Sequence, residues 1–460
     1  MLMSPSETII AQITPAGCGA VAMVRLSGPD AIAIAAALSL LPKNKTLVEQ
    51  ATHTIHYGWA VNQAKQPIDQ VLFFLMRAPQ TFTGEETVEI SCHNNPFIIQ
   101  AIIHEAIRLG ARLAERGEFT RRAFENGKIT LVQAEAINEI ITTQTETALQ
   151  KSLAQLEGSF SHWIDLIQRE LMQALTLSEA GLEFVDDEVD FTPQICALGE
   201  GVAAEIARLQ KTYDVRVQVR QGLRIALIGA VNAGKSSLFN RLLGQERSIV
   251  TALAGTTRDT VEAGLYRSGT YWTLIDTAGI RETANIIEQE GVRRSLQEAH
   301  MADIIVLVLD GSVPVSEELR LVYQNIHDQY GSKIIFVQTK IDSGDLCGPV
   351  LNIPCGEMLK ISSTTGQGCD LLEKKIETTI RQLLERADAP FLINQRHFHI
   401  LSSLLQKLAS VQALLNQQVI HYELVSYHLR DALEELTQLT GKGVSDAALD
   451  AIFREFCVGK

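Results

Sequence analysis

The sequence predicts a multidomain protein in which an α/β domain is inserted into an α-helical domain, after an N-terminal domain of the α/β or α+β class. Three observations indicate this organisation. A glycine-rich motif near the middle of the chain stands between an apolar run and a helical pattern. Helical apolar stripes occur both before and after that region, and strand patterns bounded by glycines dominate the start. We therefore expect domains at 1–120, 121–217, 218–384 and 385–460, of which the second and fourth form one helical domain.

Composition and charge exclude some functional classes of protein. The 460 residues include 54 Asp and Glu against 40 Lys and Arg, which gives a formal net charge of −14. This balance excludes a globally basic nucleic-acid binder, so an RNA contact would need a local basic patch. Seven cysteines without a C-x-x-C pair argue against a disulfide scaffold or a cysteine-rich zinc site and suit a cytoplasmic protein. No signal-peptide pattern is visible, and the longest nearly apolar run, 31–41, is too short to span a membrane.

The first 120 residues alternate between strand and helix patterns. Predicted strands lie at 8–12, 20–26, 54–61, 70–76 and 87–92, and predicted helices at 29–41 and 97–109. A turn at 82–85 is more simply explained as a plain turn than as a ligand-facing one. The densest basic cluster of this half favours a solvated surface, with a contact for an anionic ligand or RNA as the alternative; its members are Arg112, Arg116, Arg121 and Arg122.

The two helical segments show apolar positions at three- and four-residue spacing. The stripe from Leu149 to Leu171 predicts one buried face of a long helix, and later stripes predict helices over 401–415, 425–439 and 446–456. The acidic stretch at 183–190 is interpreted as a solvated turn, because no histidine accompanies it. By spacing alone Cys457 is an ordinary tail thiol, although a cation such as Lys460 would favour its thiolate.

The glycine-rich motif fits G-x-x-x-x-G-K-[ST], the phosphate-binding P-loop. It reads Gly229-Ala230-Val231-Asn232-Ala233-Gly234-Lys235-Ser236-Ser237. A predicted strand at 223–228 and a predicted helix at 238–243 supply the context that the motif needs. Lys235 is expected to reach the β- and γ-phosphates and Ser236 to ligate Mg²⁺, while backbone N–H groups bind the β-phosphate.

Three further motifs follow in the order of a GTPase: D-x-x-G, N-K-x-D and the loop Ser362-Ser363-Thr364, whose backbone N–H groups are expected to contact guanine O6. Buried strands are predicted nearby at 272–275, 304–310 and 334–338. Asp276 and Gly279 form a D-x-x-G motif, and Thr257 in the preceding loop is expected to complete the Mg²⁺ shell. In the guanine-reading motif N-K-x-D, Thr339 replaces the Asn, while Asp342 retains the carboxylate that pairs with guanine. The expected GTP-binding residues are Asn232, Ala233, Gly234, Lys235, Ser236, Ser237, Thr251, Thr256, Thr257, Asp276, Thr277, Ala278, Gly279, Thr339, Lys340, Asp342, Ser362, Ser363 and Thr364.

The hydrolytic step leaves three alternatives open. Ile280 occupies the position at which Ras-type proteins carry a water-orienting Gln. Glu288 could orient the water, and Arg281 could act as a finger, although a flexible surface arginine is the simpler interpretation. The third alternative is K⁺, which Asn232 and backbone carbonyls of 251–256 could hold between the α- and γ-phosphates.

These motifs resemble the MnmE (TrmE) family of tRNA-modification GTPases, and the resemblance covers the whole chain. It is carried by the Asn-Ala-Gly-Lys-Ser-Ser P-loop, the Ala-Gly-Thr-Thr-Arg-Asp loop, Asp-Thr-Ala-Gly-Ile-Arg-Glu and the terminal Phe-Cys-Val-Gly-Lys. Segments 11–15, 24–28, 82–85, 117–119 and 133–137 also resemble it. The combination is specific because the terminal motif and the potassium-type loop accompany an inserted GTPase domain.

The resemblance implies a set of site residues. The N-terminal domain resembles tetrahydrofolate-binding domains, mediates a homodimer and binds a 5-formyl-tetrahydrofolate-type donor. The implied folate-binding residues are Arg25, Glu89, Lys128 and Lys460, with Cys457 in a catalytic role nearby. The implied metal ligands are Asn232, Thr251, Leu253 and Thr256 for K⁺, and Ser236 and Thr257 for Mg²⁺. Glu288 matches the water-orienting residue, and the GTPase domains are expected to dimerise across their switch regions.

The resemblance also implies the reaction. Members act with the flavoprotein MnmG, which supplies FAD and NADH, in a complex expected to be a heterotetramer. Together they install an aminomethyl-type (carboxymethylaminomethyl) group on C5 of the wobble uridine of certain tRNAs. Two other classes remain open: an Era-like GTPase switch without modification chemistry, and a folate-dependent one-carbon transferase that its GTPase domain only regulates. Two departures stand out, Thr339 and the run Cys92-His93-Asn94-Asn95-Pro96, where the family often shows Gly-His-Gly-Gly-Pro.

Overall fold

The computed structural model describes residues 7–183, 190–213, 216–244, 261–267, 269–277, 296–343, 358–384 and 390–459. The chain divides into two compact units. The first comprises the residues up to Asn138, residues 160–165 and the residues from Asp431 onward. The second comprises 139–159 and 166–430. The predicted boundaries at 120, 217 and 384 fall inside these units and stay predictions.

The first unit is built on a seven-stranded sheet. Its strands are β1 (Ile9–Gln12), β2 (Val21–Ser27), β3 (Ser39–Leu40), β4 (Thr54–Val61), β5 (Pro67–Met76), β6 (Thr87–His93) and β7 (Arg112–Leu113). Their order is β3-β4-β5-β6-β2-β1-β7, and only the β1–β7 pair is parallel. Alternate residues of β5, such as Val71 and Phe73, are buried in a core shared with α1 (Ala31–Ala37) and α2 (Pro96–Arg108). The five predicted strands are confirmed.

The helix predicted over 29–41 is shorter than expected. It ends at Ala37, and Ser39 and Leu40 instead pair with Ala60 and Trp59 as an edge strand. The Ser39 hydroxyl donates a hydrogen bond to the Ala36 carbonyl at 2.9 Å, which occupies a carbonyl at the helix end. The alanine-rich composition of this segment favours a helix, but it does not show that residues 39–40 pair with β4 instead.

A second core of the first unit joins helices that are far apart in sequence. The helices are α3 (Glu118–Glu125), the start of α4 (Leu131–Thr142) and, near the C-terminus, a helix over Asp446–Phe453. Leu131, Ala134, Leu449, Phe453 and Phe456 form this core, each at most 6% exposed. The residues that follow the C-terminal helix are thereby fixed to the first unit.

The second unit contains a six-stranded α/β sheet. Its strands are β8 (Leu223–Gly229), β9 (Val261–Arg267), β10 (Thr270–Asp276), β11 (Ile304–Asp310), β12 (Ile334–Thr339) and β13 (Leu359–Lys360). The order is β13-β12-β11-β8-β10-β9, and only β9 is antiparallel to its neighbour. Apolar clusters cover both faces, one around Ile225 and one around Ala226. Burial on both faces explains the near-continuous apolar strands, whose predictions are confirmed.

The remaining helices correct one prediction. They are α5 (Glu146–Leu156), α6 (Ser159–Glu183), α7 (Thr192–Gln210), α8 (Arg216–Gln221), α9 (Lys235–Leu243), α10 (Glu317–Tyr330), α11 (Cys369–Leu384), α12 (Gln395–Leu415), α13 (Tyr422–Thr437) and, in the first unit, α14 (Asp446–Phe453). The single long helix predicted across 149–171 is wrong, because Gly158 at φ +107° separates α5 from α6. Leu149 and Leu153 are 36% and 43% exposed, whereas Leu171 is fully buried. The stripe over 401–415 is confirmed as the buried face of α12.

The predicted fold class, a mixed N-terminal domain with helical and P-loop α/β regions, is confirmed. Within the described part of the chain, the helices lack the combination of length and hydropathy required to cross a bilayer.

Candidate functional site

The P-loop connects the central strand β8 to α9. Gly229 ends the strand, and a Cβ at this position would clash with the Val308 carbonyl of β11. Asn232 and Gly234 adopt positive φ angles of 60° and 89°, which turn the chain directly into the first turn of α9. Glycine adopts such angles without the steric cost of a Cβ. The unpaired N–H groups of the first helical turn therefore lie beside the loop, as an anion site requires.

Lys235 is held against the loop itself. The side chain is buried, and its Nζ donates hydrogen bonds to the carbonyls of Gly229 at 2.7 Å and Ala230 at 2.6 Å. Burial lowers the pKa of this amino group, while the nearby Asp276 carboxylate opposes the shift. Ser236 and Ser237 follow in the first turn and are exposed. The P-loop thus places the Lys235 cation and the hydroxyls of Ser236 and Ser237 at the start of α9.

Asp276 ends the neighbouring parallel strand on the same edge of the sheet. Its backbone is in register with Leu227 of β8, and the residue is 4% exposed. The adjacent Thr277 hydroxyl donates to the Leu227 carbonyl at 2.9 Å. A serine hydroxyl and an aspartate carboxylate are the hard oxygen donors that Mg²⁺ prefers, so Ser236 and Asp276 fit this ion.

The predicted guanine motif is tied to the P-loop through Thr339. This buried residue ends β12, and its hydroxyl lies 2.6 Å from the Ala233 carbonyl and 3.1 Å from the Leu309 carbonyl. Lys340, at φ +57°, donates to Asp310 at 2.6 Å. That bond and those from Ser312 outweigh the effect of burial and lower the Asp310 pKa.

The two remaining parts of the guanine motif flank this connection. Asp342 is exposed just beyond β12. The Ile361 N–H donates to the Gln338 carbonyl at 2.8 Å, which brings the loop from Ser362 to Thr364 alongside. The P-loop, Asp276, the guanine motif and the loop from Ser362 to Thr364 thus meet at one sheet edge through their described residues.

Tyr323 is a contributor that sequence reasoning missed. It lies on α10, is 3% exposed, and its hydroxyl accepts a hydrogen bond from the Ala230 N–H at 2.9 Å. The contact orients the start of the P-loop from a helix 93 residues later. No local signal marks this tyrosine.

The predicted folate residues lie in the first unit. Arg25 and Glu89 are directly opposite on β2 and β6. The Arg25 Nε and Nη2 atoms approach the same carboxylate oxygen, Glu89 Oε1, at 2.8 and 2.7 Å. Lys128 is exposed and donates to the Pro79 carbonyl at 2.9 Å. Two cations and a carboxylate suit a ligand with a carboxylate tail and a ring that donates N–H groups, so this donor set fits a folate.

The C-terminal tail is anchored on both sides of Cys457. Phe456 is buried in the helical core, and Val458 bridges to Arg116. Gly459, at φ +93°, packs so closely on β1 that a Cβ would clash with the Gln12 carbonyl. Cys457 itself is exposed. Since β1 pairs with the strand that carries Arg25, the tail and the predicted folate residues share one region of the unit.

The solvated-surface interpretation of the basic cluster is wrong for Arg121 and Arg122, whereas the side chain of Arg112 is 33% exposed. Arg121 and Arg122 are 8% and 5% exposed. Arg122 contacts Glu85 and Glu118, Arg112 contacts Glu118, and Arg121 contacts Glu125 and Asp450. These arginines therefore serve the structure of the unit, since buried charges need partners. Arg116 alone among the four is exposed.

Several predicted residues lie outside the described residues, and their predictions stay as they are. They are Thr251, Leu253, Thr256, Thr257, Ala278, Gly279, Ile280, Arg281, Glu288 and Lys460, together with most of the acidic stretch at 183–190.

Comparison with known proteins covers the full chain. Residues 8–128 match the family described as GTP-binding protein TrmE N-terminus, and residues 131–457 match the MnmE helical domain. Curated relatives named tRNA modification GTPase MnmE include the protein of Christiangramia forsetii, 35% identical with 100% of both chains covered. Those of Thermotoga maritima and Enterococcus faecalis are 34% and 38% identical, covering 99% of this chain and 100% and 98% of theirs. The chain therefore belongs to the MnmE (TrmE) family of tRNA modification GTPases.

Proposed function

We propose that this chain hydrolyses GTP and, with the flavoprotein MnmG, installs a carboxymethylaminomethyl-type group on C5 of the wobble uridine of certain tRNAs. The observation that carries the proposal is the sheet edge where the P-loop, Asp276 and Thr339 meet, in a chain that matches MnmE relatives along its whole length.

The residues at this edge account for phosphate binding and guanine selection. Lys235 and the first N–H groups of α9 bind the phosphates, Ser236 and Thr257 would ligate Mg²⁺, and Asp276 would contact that ion through water. Asp342 pairs with the guanine N1–H and exocyclic amine, a pattern that adenine does not offer. A site built to hydrogen-bond guanine in this way discriminates against a base that leaves the carboxylate unpaired.

The hydrolytic step depends on charge and on water position. Asn232, Thr251, Leu253 and Thr256 would hold K⁺, which would supply the positive charge that an arginine finger supplies in other GTPases. Glu288 orients the attacking water. Asn232 is exposed within the P-loop, so its side chain is accessible to a cation, which supports this assignment.

The first unit holds the one-carbon chemistry in this proposal. Arg25, Glu89, Lys128 and Lys460 bind a 5-formyl-tetrahydrofolate-type donor, and the anchored tail presents the Cys457 thiol beside it. MnmG contributes FAD and NADH and part of the tRNA contact, in keeping with the net charge of −14.

A homodimer through the first unit is supported by an uncovered apolar sheet face. Ile55, Tyr57 and Trp59 on β4 are 61%, 52% and 39% exposed, and Leu72 on β5, opposite Tyr57, is 38% exposed. The opposite face of the same strands packs on α1 and α2. An exposed contiguous apolar patch of this kind is typical of a protein interface.

The first experiment measures steady-state GTP hydrolysis in KCl and in NaCl at matched ionic strength. We expect strong acceleration by K⁺ in the native chain and its loss in Asn232→Ala. Asn240→Ala is the matched control, because Asn240 is an exposed asparagine on the adjoining helix α9. Equal rates in the two salts for the native chain would contradict a cation-assisted mechanism and favour Arg281 or an outside activator.

The second experiment tests the modification chemistry in cells that lack the native gene. Nucleoside analysis of tRNA should show full wobble-uridine modification with the native chain and with Cys18→Ser, which removes another exposed thiol. Cys457→Ser should lose the modification and keep GTP hydrolysis. Full modification by Cys457→Ser would remove this thiol from the mechanism. Unchanged nucleosides on deletion of the gene would instead indicate an Era-like switch.

A further inference from the structure

The guanidinium of Arg25 is held by more than its ion pair with Glu89. Its Cζ atom lies over two aromatic rings, 5.5 Å from the centroid of Phe82 and 5.3 Å from that of Phe119. The Arg25 side chain is only 14% exposed. A cation over a ring face is attracted by the ring's quadrupole, and the attraction grows as water is excluded. The two rings and the carboxylate therefore restrict the guanidinium to one orientation.

The two rings are fixed in different ways. Phe119 is fully buried in α3 and packs with Ile9 and Ala11 of β1. Phe82 is only partly buried and lies in the turn before β6. Its position therefore depends on the hydrogen bonds of the turn.

Those hydrogen bonds fix the turn from several directions. The Thr81 hydroxyl donates to the Glu85 carbonyl at 2.7 Å, which closes the turn. The Asn126 amide donates to the Thr83 carbonyl at 2.7 Å, and Arg122 donates to the Glu85 carboxylate at 3.1 Å. A turn held from α3 and from within itself presents the Phe82 ring at a defined place.

We propose that Phe82 is a positioning residue of the folate-donor site, whose ring holds the Arg25 guanidinium ready for a reduced folate. This inference rests on the proposed function of Arg25. An arginine that is ordered before binding loses less conformational freedom when the ligand arrives, and affinity rises accordingly. The turn at 82–85, interpreted from sequence as a plain turn, thus acquires a role that acts through Arg25.

The test measures the Kd of the full chain for 5-formyl-tetrahydrofolate by calorimetry. Phe82→Leu keeps apolar volume but removes the ring, and we expect a Kd roughly 3- to 30-fold higher. Phe82→Tyr keeps the ring face and should remain within about twofold of the native value. Phe97→Leu is the control, because Phe97 is an 82% exposed phenylalanine of the same unit.

A double-variant cycle separates positioning from general packing. In an Arg25→Gln background, Phe82→Leu should weaken binding no further, because the ring acts through the guanidinium. An equal loss in both backgrounds, or failure of Phe82→Tyr to restore affinity, would overturn the inference. Thermal unfolding of the Phe82 and Phe97 variants should stay near the native midpoint.

The outcomes also separate this inference from the proposed function. If the native chain does not bind the folate, or if Arg25→Gln binds it as well as the native chain, the proposed folate site fails. If Arg25→Gln weakens binding while Phe82→Leu matches the native chain, the folate site stands and the positioning role of Phe82 is refuted.

Discussion

Replacing Arg122 by methionine tests how far the buried ion pairs of α3 stabilise the first unit. The guanidinium donates to the Glu7 carbonyl and to Glu118 Oε1, each at 2.9 Å, and to both oxygens of Glu85 at 3.1 Å. The side chains of Arg122 and Glu118 are 6% and 0% exposed. Methionine keeps the apolar stem and removes the charge together with its hydrogen bonds.

The expected decrease in the free energy of unfolding depends on which hydrogen bonds Glu118 and Glu85 keep in the variant. Removing one partner of a buried ion pair typically costs about 3–5 kcal/mol, because the other charge stays buried. Glu118 retains Arg112 and the Glu115 N–H, and Glu85 retains the Ser27 hydroxyl. The lower end of that range, about 3 kcal/mol, is therefore the expected decrease in the free energy of unfolding of this unit.

Hydrogen exchange at increasing urea concentration measures that decrease in peptides from α3 and β6. Arg108→Met is the control, since Arg108 lies in the same unit and pairs with Glu105 one turn away on α2, with its own side chain 37% exposed. Its loss should cost less than about 0.5 kcal/mol. Equal stabilities of the two variants would refute the structural role assigned to the buried arginines.

Three other predictions concern the tail, the P-loop contact and pH. Gly459→Ala should strongly reduce tRNA modification, because a Cβ would clash with the Gln12 carbonyl, while the rate of GTP hydrolysis stays at the native value. Gly443→Ala is the control, since Gly443 has a φ of +79° but no atom of the described residues close to its Cβ position, and this variant should support the native level of tRNA modification. Thr339→Val should raise the Kd for GTP about 5- to 10-fold in an equilibrium titration, because the Ala233 carbonyl loses its hydrogen bond. Urea unfolding between pH 7 and pH 3 should show that the free energy of unfolding of the native chain decreases once the pH is below about 4.5. The decrease should be smaller in Glu118→Gln.

The sign of the pH prediction follows from the surroundings of Glu118. Burial alone would raise the pKa of this carboxyl, but hydrogen bonds from Arg112, the Glu115 N–H and Arg122 outweigh it and the pKa is lowered. A pKa that is lower in the folded than in the unfolded chain means that protons favour the unfolded chain. The stabilisation is therefore complete above the unfolded pKa and is lost as the pH falls through the folded value. A native curve that stayed flat down to pH 3 would contradict it.

Strands were the most predictable part of the fold. The predicted bounds of β4 and β11 agree with Thr54–Val61 and Ile304–Asp310. β11 is central in a parallel sheet and buried on both faces, so its apolar run is continuous and its ends are sharp. The P-loop was equally predictable, because its glycines, lysine and serine act over nine consecutive residues.

Contacts between distant residues could not be predicted in the same way. Arg121 and Asp450 are 329 positions apart, and a run of nearby arginines looks the same whether it meets water or buried carboxylates. The helix break at Gly158 was missed because the apolar spacing continues across it at 149–171. Spacing records which residues are apolar, whereas a positive φ at one glycine redirects the helix without changing that pattern.

Thr339 shows why a departure from a motif has to be judged by its contacts. In the sequence, Thr339 is a departure from the guanine-reading motif N-K-x-D. In the structure the Thr339 hydroxyl still bonds the Ala233 carbonyl, so β12 stays connected to the P-loop. A hydroxyl has one proton, which the Ala233 and Leu309 carbonyls share, so the departure reduces the number of donors and retains the connection. In the proposed function, selection of the base then depends on the carboxylate of Asp342, which the departure does not touch. Asp342→Asn should therefore impair GTP binding more than Thr339→Val does, and the reverse order in the same titration would show that the connection, not the base pairing, limits affinity.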